Sequence, residues 1–203
     1  MSQTIQQTKA VLRKEMKQRL ARLTDHEKSV QSLIILRKVL SSEVYAQSKR
    51  ISIYLPMKEE VCTLNILKSM FRDGKECFIP NYKGAEMIMV PLKSWDAYER
   101  LPVTKWGIKQ SEEFDASQDA NMSGGLDLIF MPGLAFTTQG ARLGRGKGYY
   151  DQYLNKCDQS GCLPKTVALL FHEQLTENVP VLEHDKLVDS LIFPTQEEIE
   201  LER

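Results

Sequence analysis

A chain of 203 residues with 42% hydrophobic and 27% charged residues can bury one substantial core, so long-range disorder is excluded and one domain over residues 1–203 is expected. Lys and Arg balance Asp and Glu at zero net charge, which leaves no global field to recruit nucleic acid or an anionic membrane. The charge is uneven along the chain: residues 1–50 carry eleven Lys/Arg against four Asp/Glu, and residues 173–203 carry nine Asp/Glu against two Lys/Arg. Either two solvated faces attract one another or a basic N-terminal element lies near an anionic ligand.

The first twenty residues lack an apolar signal region, and no apolar run approaches the ~18 residues that span a bilayer. A cytoplasmic location and no membrane partner are expected. Cys62, Cys77, Cys157 and Cys162 form no C-x-x-C pair and His is scarce, so free thiols are expected and a zinc site is not.

Leu12, Met16, Leu20 and Leu23 repeat at helical spacing, which predicts a helix from about Thr4 to Leu23. Thr24-Asp25-His26-Glu27 is a capping box that starts a second helix to about Leu40. Arg50 to Leu55 alternates and is β-branched or aromatic, a strand that Pro56 ends. Thr63 is placed to cap a helix to Arg72, and Asp73-Gly74 is a turn. Short strands are expected at Cys77–Ile79 and Met87–Leu92. Residues 94–123 carry no clear period, and Ser111–Ser123 reads as a surface loop. Leu126–Met131 is almost wholly apolar, as a strand covered on both faces would be. A glycine-rich segment follows Pro132-Gly133, then a helix from Gly148 to Lys156, strands at Thr166–Phe171 and Leu191–Phe193, and a short terminal helix. Alternating strands and helices predict an α/β fold with a mostly parallel, mixed central sheet flanked by helices.

The chemistry concentrates at Arg142-Leu143-Gly144-Arg145-Gly146-Lys147-Gly148-Tyr149-Tyr150-Asp151, between a strand and a helix. Alternate glycines let the backbone approach a ligand, Arg145 and Lys147 sit between them, and the helix N-terminus adds unpaired N–H groups. That is a phosphate cradle. It is not a Walker A loop, which needs Gly where Ala141 stands and Ser or Thr where Gly148 stands. Asp151, close after the cradle, suits a hard cation that takes carboxylate and phosphate oxygens together.

This segment, following Asp127-Leu128-Ile129-Phe130-Met131-Pro132-Gly133, resembles the signature of the 5-formyltetrahydrofolate cyclo-ligases, also called methenyltetrahydrofolate synthetases. Chain length, the basic N-terminal helix, the Arg50–Leu55 strand, Trp106-Gly107-Ile108 and Val188-Asp189 fall in the order the resemblance requires. It implies a Rossmann-like single-domain fold and an ATP- and Mg²⁺-dependent conversion of 5-formyltetrahydrofolate to 5,10-methenyltetrahydrofolate, ADP and phosphate. By resemblance, Lys9, Ala10, Val11, Leu12 and Arg13 of the first helix contact ATP, as does Arg142 through Tyr150. Arg145 through Tyr149 also contact the folate, together with Leu55, Met57, Glu60 and Trp106. Arg145 and Lys147 carry the catalytic charge, and Asp151 and Asp185 hold the metal, with Asp189 competing for the second place. The departure is Lys109-Gln110-Ser111, where many relatives have a proline turn. The implied partners are ATP and 5-formyltetrahydrofolate with its polyglutamates, and a monomer is expected. A phosphosugar isomerase-like or acyl-CoA-transferase-like enzyme, or a nucleic-acid module built on the first helix, are the alternatives.

Overall fold

The computed structural model describes residues 2–104, 107–183 and 185–202. Trp106 therefore lies outside the described residues, as does His184. The first helix, α1 (Ser2–Ala21), buries Met16 and Leu20, with Leu12 and Leu23 packed against the core, so the predicted apolar stripe faces inward. Thr24 and Glu27 close the predicted capping box at the head of α2 (Asp25–Leu40). A short helix, α3 (Glu43–Gln47), leads into β1 (Arg50–Ile53). Its five residues are too few for a periodic signal.

Helix α4 (Leu64–Arg72) starts after Thr63, but the Thr63 hydroxyl does not cap it. It donates instead to the Tyr54 carbonyl at 2.6 Å, a buried bond that fixes the chain just beyond β1. Strand β2 (Glu76–Lys83) is longer than Cys77–Ile79. Pro80 is tolerated because β1 pairs only as far as Phe78, and beyond it β2 has β3 (Glu86–Pro91) as its neighbour. Helix α5 (Trp95–Arg100) falls in the stretch without a readable period, and none of its residues is buried.

After β4 (Leu128–Met131), a small hairpin of β5 (Ala135–Phe136) and β6 (Arg142–Leu143) precedes α6 (Tyr149–Gln159). The chain closes with β7 (Lys165–Leu169), β8 (Ser190–Ile192) and α7 (Gln196–Leu201). The six-stranded sheet has the order β3-β2-β1-β4-β7-β8, parallel throughout except for the β2–β3 pair. Alternate strand residues enter two cores. Ile51, Ile53, Phe130 and Leu169 pack with Met16, Leu20, Ile35 and Leu67 of the flanking helices on one side. Ile129, Met131 and Ala168 pack with Tyr153 and Leu154 of α6 on the other. All four residues of β4 are buried, as its uninterrupted apolar run predicted.

Ser111–Ser123 is a tethered segment with two 3-10 turns. Buried Asp119 accepts from the Tyr153 hydroxyl at 3.0 Å, and Asn81 Nδ2 donates to the Glu113 carbonyl at 2.8 Å. Among the described residues no helix is long and apolar enough to cross a membrane. The four cysteines are free, and burial raises the Cys77 thiol to about 12, so it stays protonated at neutral pH.

Candidate functional site

In a doubly wound sheet the chain leaves β1 and β4 in opposite directions, and a crevice opens beyond their carboxyl ends. Here β1 and β4 are neighbours, one cleft opens at their ends, and a second shares lining residues with it. One, of about 420 Å³, is mainly apolar. Leu55, Met57 and Glu60 after β1, Pro80 and Tyr82 of β2, and Pro132 and Gly133 after β4 shape it. The other, of about 690 Å³, is polar and lies beneath α1, with Lys9, Ala10 and Arg13 on one side and Gln152 and Asn155 of α6 on the other.

The glycine loop is the wall between them: Arg142, Gly144, Lys147, Gly148 and Asp151 line both. Gly146 and Gly148 stand at φ +102° and +68°, a region that L side chains avoid. Arg13 packs over the loop, its Nε donating to the Gly144 carbonyl at 2.9 Å, and a Cβ at Gly146 would sit 3.4 Å from its guanidinium carbon. The sequence pattern therefore becomes a backbone ridge that α1 can approach closely.

The loop's charges are already engaged, with one exception. Arg142 Nη2 donates to Asp151 Oδ2 at 3.1 Å, and the Lys186 N–H donates to Asp151 Oδ1 at 3.1 Å. Arg145 pairs with Glu60 at 3.0 Å, joining the loop to the chain after β1. Lys9, only 7% exposed, pairs with Asp185. Lys147 is exposed and, among the described residues, makes no ion pair.

Asp151 and Asp185 both line the polar cleft, whereas Asp189 accepts from the Thr166 N–H and hydroxyl at 2.7 and 2.8 Å and ties the chain to β7. Among the described residues no group of three or more His, Cys, Asp and Glu is placed to hold a metal. Two carboxylates alone are too few to cage an ion. They fit Mg²⁺, which binds through one or two carboxylates together with phosphate oxygens and water. Of the remaining residues from the sequence reading, Val11 is 69% exposed and Leu12 packs on the core, while Tyr149 and Tyr150 face the apolar cleft.

Several lining residues carried no signal alone. Asn155 and Gln152 follow Asp151 on α6, and Gln6 precedes Lys9 by three, so helical register around the charged residues would have found them. Tyr82 and Gly84 are different. The Tyr149 ring lies tilted against Tyr82, ring centres 4.9 Å apart and planes at 52°, and its hydroxyl donates to the Gly84 carbonyl at 2.8 Å, a clasp between distant segments. Buried Gln174 holds the cleft floor from below, its Nε2 donating to the Gly133 carbonyl at 2.7 Å.

The model of the 5-formyltetrahydrofolate cyclo-ligase family matches residues 5–194. The chain belongs to that family. A Mus musculus 5-formyltetrahydrofolate cyclo-ligase is 48% identical over 94% of this cyclo-ligase and 95% of its own length. The solution structure of Aquifex aeolicus 5,10-methenyltetrahydrofolate synthetase superposes with a TM-score of 0.71 at 26% identity, covering 91% of this chain and 88% of that one. A Mycoplasma pneumoniae 5,10-methenyltetrahydrofolate synthetase has a TM-score of 0.68 at 22% identity, covering 91% and 98%, and shows the shared fold. The isomerase-like, transferase-like and nucleic-acid readings give way to a cyclo-ligase of mixed α/β fold.

Proposed function

We propose that this cyclo-ligase converts 5-formyltetrahydrofolate to 5,10-methenyltetrahydrofolate at the expense of ATP and Mg²⁺, with the nucleotide in the polar cleft and the folate in the apolar one. The observation that supports this is the shared wall: one glycine loop lines a charged cleft and an apolar cleft. A flat ring with few polar atoms suits the apolar side, and phosphates suit backbone N–H groups and cations on the other.

The N5-formyl group is an amide, and its oxygen is a poor leaving group as hydroxide. Transfer of the γ-phosphoryl to that oxygen breaks the bond to ADP and forms a new P–O bond on the formyl group. N10 then attacks the formyl carbon, the C–O bond breaks, the oxygen departs within phosphate and N10 loses its proton. Chemistry of this kind asks the protein for positioning and charge neutralisation, not for a nucleophile. Lys147 and Arg145 neutralise the transferring group, and Glu60, Leu55 and Met57 hold the folate. Mg²⁺, held by Asp151 and Asp185, would draw charge from the phosphate oxygens. Lys9 and Arg142 would then exchange a carboxylate for a phosphate. The whole chain acts as one domain, and one protomer contains every residue named.

The test is isotopic. With heavy oxygen in the formyl group, a single turnover should deliver the label to inorganic phosphate. Label appearing in water instead would exclude phosphoryl transfer to the formyl oxygen.

Lys9→Ala and Arg13→Ala should each raise the KM for ATP on the order of tenfold, with the folate KM changed far less, because charge-assisted contacts to phosphate are lost. Lys9→Ala should also destabilise, since a buried pair that loses one partner costs about 3 kcal/mol. Calorimetry showing wild-type ATP affinity in both variants would return α1 to a purely structural part.

A further inference from the structure

A carboxylate offers about four lone-pair positions, two on each oxygen, and a donor that fills one of them keeps other donors out of it. Glu60, at the wall of the apolar cleft, has most of its positions filled. Arg145 closes on Oε1 with two donors, Nε at 3.1 Å and Nη2 at 3.0 Å. Oε2 accepts the Met57 N–H at 3.0 Å. That leaves about one position, on Oε2. The Glu60 side chain is only 8% exposed with Arg145 in place.

The same pair turns Arg145 away from phosphates. Arg145 lines the apolar cleft and not the polar one, although Gly144 and Gly146 on either side of it both line the polar cleft. Its backbone therefore already borders the polar cleft, and its side chain, 32% exposed, needs only to swing round to bring the guanidinium there. Glu60 is what holds it back. Arg145 cannot leave unreplaced, because a carboxylate this buried would keep an unanswered charge.

The next step rests on the functional reading above, in which the folate enters the apolar cleft and Arg145 meets the transferring phosphoryl group. The pterin edge of a folate carries two adjacent N–H donors, at N3 and the 2-amino group, which match the two oxygens of a carboxylate. Glu60 cannot take both while Arg145 fills Oε1. We propose that Glu60 is a positioning residue for Arg145: it holds the guanidinium on the folate side until the pterin edge displaces it, and the freed guanidinium then swings to the phosphates in the polar cleft. Two charge-assisted bonds from the pterin replace the two from Arg145, so the carboxylate is satisfied before and after. The full set of cations for phosphoryl transfer is then assembled only when the formyl acceptor is present. ATP that arrives without folate meets a cleft lacking one of them.

The two substrates must then bind with positive coupling that runs through this pair. The experiment is calorimetry on the full chain with adenylyl imidodiphosphate and Mg²⁺, an ATP analogue that does not transfer its γ-phosphoryl group, without and with saturating 5-formyltetrahydrofolate. In the wild type the folate should tighten the analogue on the order of tenfold. Glu60→Gln keeps the size of the side chain and loses the charge that holds Arg145. It should bind the analogue without folate on the order of tenfold more tightly than wild type does, close to the folate-loaded wild type. Arg145→Ala should bind it no better than wild type without folate, and added folate should change that affinity by a factor of about one. A Glu60 that only supports the fold cannot raise nucleotide affinity when it is weakened, so the direction of the Glu60→Gln change separates the two roles. The inference is overturned if wild type binds both ligands without coupling, if Arg145→Ala keeps the wild-type coupling, or if Glu60→Gln binds the analogue no more tightly than wild type. A wild type that binds neither ligand would overturn the functional reading and this inference with it.

Discussion

Asp151→Asn is expected to fold and to lose at least about a hundredfold in turnover at saturating ATP and folate, the scale on which a preorganised charge at a transferring group acts. The proposed role of Asp151 is to bring a hard cation to the phosphates in the polar cleft, and an amide oxygen holds Mg²⁺ less well than a carboxylate. The change also weakens the bond to Arg142, whose side chain is 5% exposed against 17% for Asp151. A partly buried pair is screened little, so some stability goes with it, and a Tm lower by several degrees is expected. Steady-state turnover across a Mg²⁺ titration, beside thermal melting, separates the two effects. Near-wild-type turnover at limiting Mg²⁺ would remove Asp151 from the metal site whatever the melting curve shows.

Lys147→Met should behave in the opposite sense with respect to stability. Its side chain is exposed and, among the described residues, holds no carboxylate, so the fold does not depend on it and Tm should stay within about a degree or two. Its freedom is what makes it available: Lys9, Arg142 and Arg145 are each paired, while Lys147 stands at the wall of both clefts. A cation that meets the phosphoryl group only in transit contributes mainly to the transition state. The rate should therefore fall about a hundredfold to a thousandfold, with folate affinity changed far less. Rates within a few-fold of wild type would leave Lys147 as a solvated loop residue.

The contrast between these variants bears on how the protein holds its charges. The cations of the cleft are stored against the carboxylates proposed to hold the metal, Lys9 on Asp185 and Arg142 on Asp151. These two cations and their carboxylates are not left bare where burial would make an unpaired charge costly, whereas exposed Lys147, among the described residues, faces the cleft without a carboxylate. Arrival of a polyanion with a divalent cation satisfies both sets at once, so the pairs can be exchanged with little net change in charge.

Local pattern carried much of the fold. The stripe Leu12-Met16-Leu20, the capping box at Thr24 and the apolar run at Leu128–Met131 all became the elements their periods implied, because each depends on neighbours within a few residues. Among the elements that escaped were the short helices α3 and α5, the β5–β6 hairpin inside the glycine-rich segment, and the far half of β2, whose Pro80 argues locally against a strand. Thr63 shows the same limit: its position suits a cap, but a buried carbonyl at Tyr54 offered the hydroxyl a better partner.

By itself the sequence determined the alternation of strands and helices and the glycine loop with its basic residues and Asp151, since all of these lie within a few residues of one another. Only the tertiary structure decided what the loop faces. It brought Lys9 to Asp185 across 176 positions, Glu60 to Arg145 across 85, and the Tyr82 ring to Tyr149. It also chose Asp185 over Asp189 for the cleft, by giving Asp189 the N–H and hydroxyl of Thr166. The reason is physical: hydrophobic period specifies which face of an element is buried, whereas the partner it meets follows from strand order and the burial of the whole core.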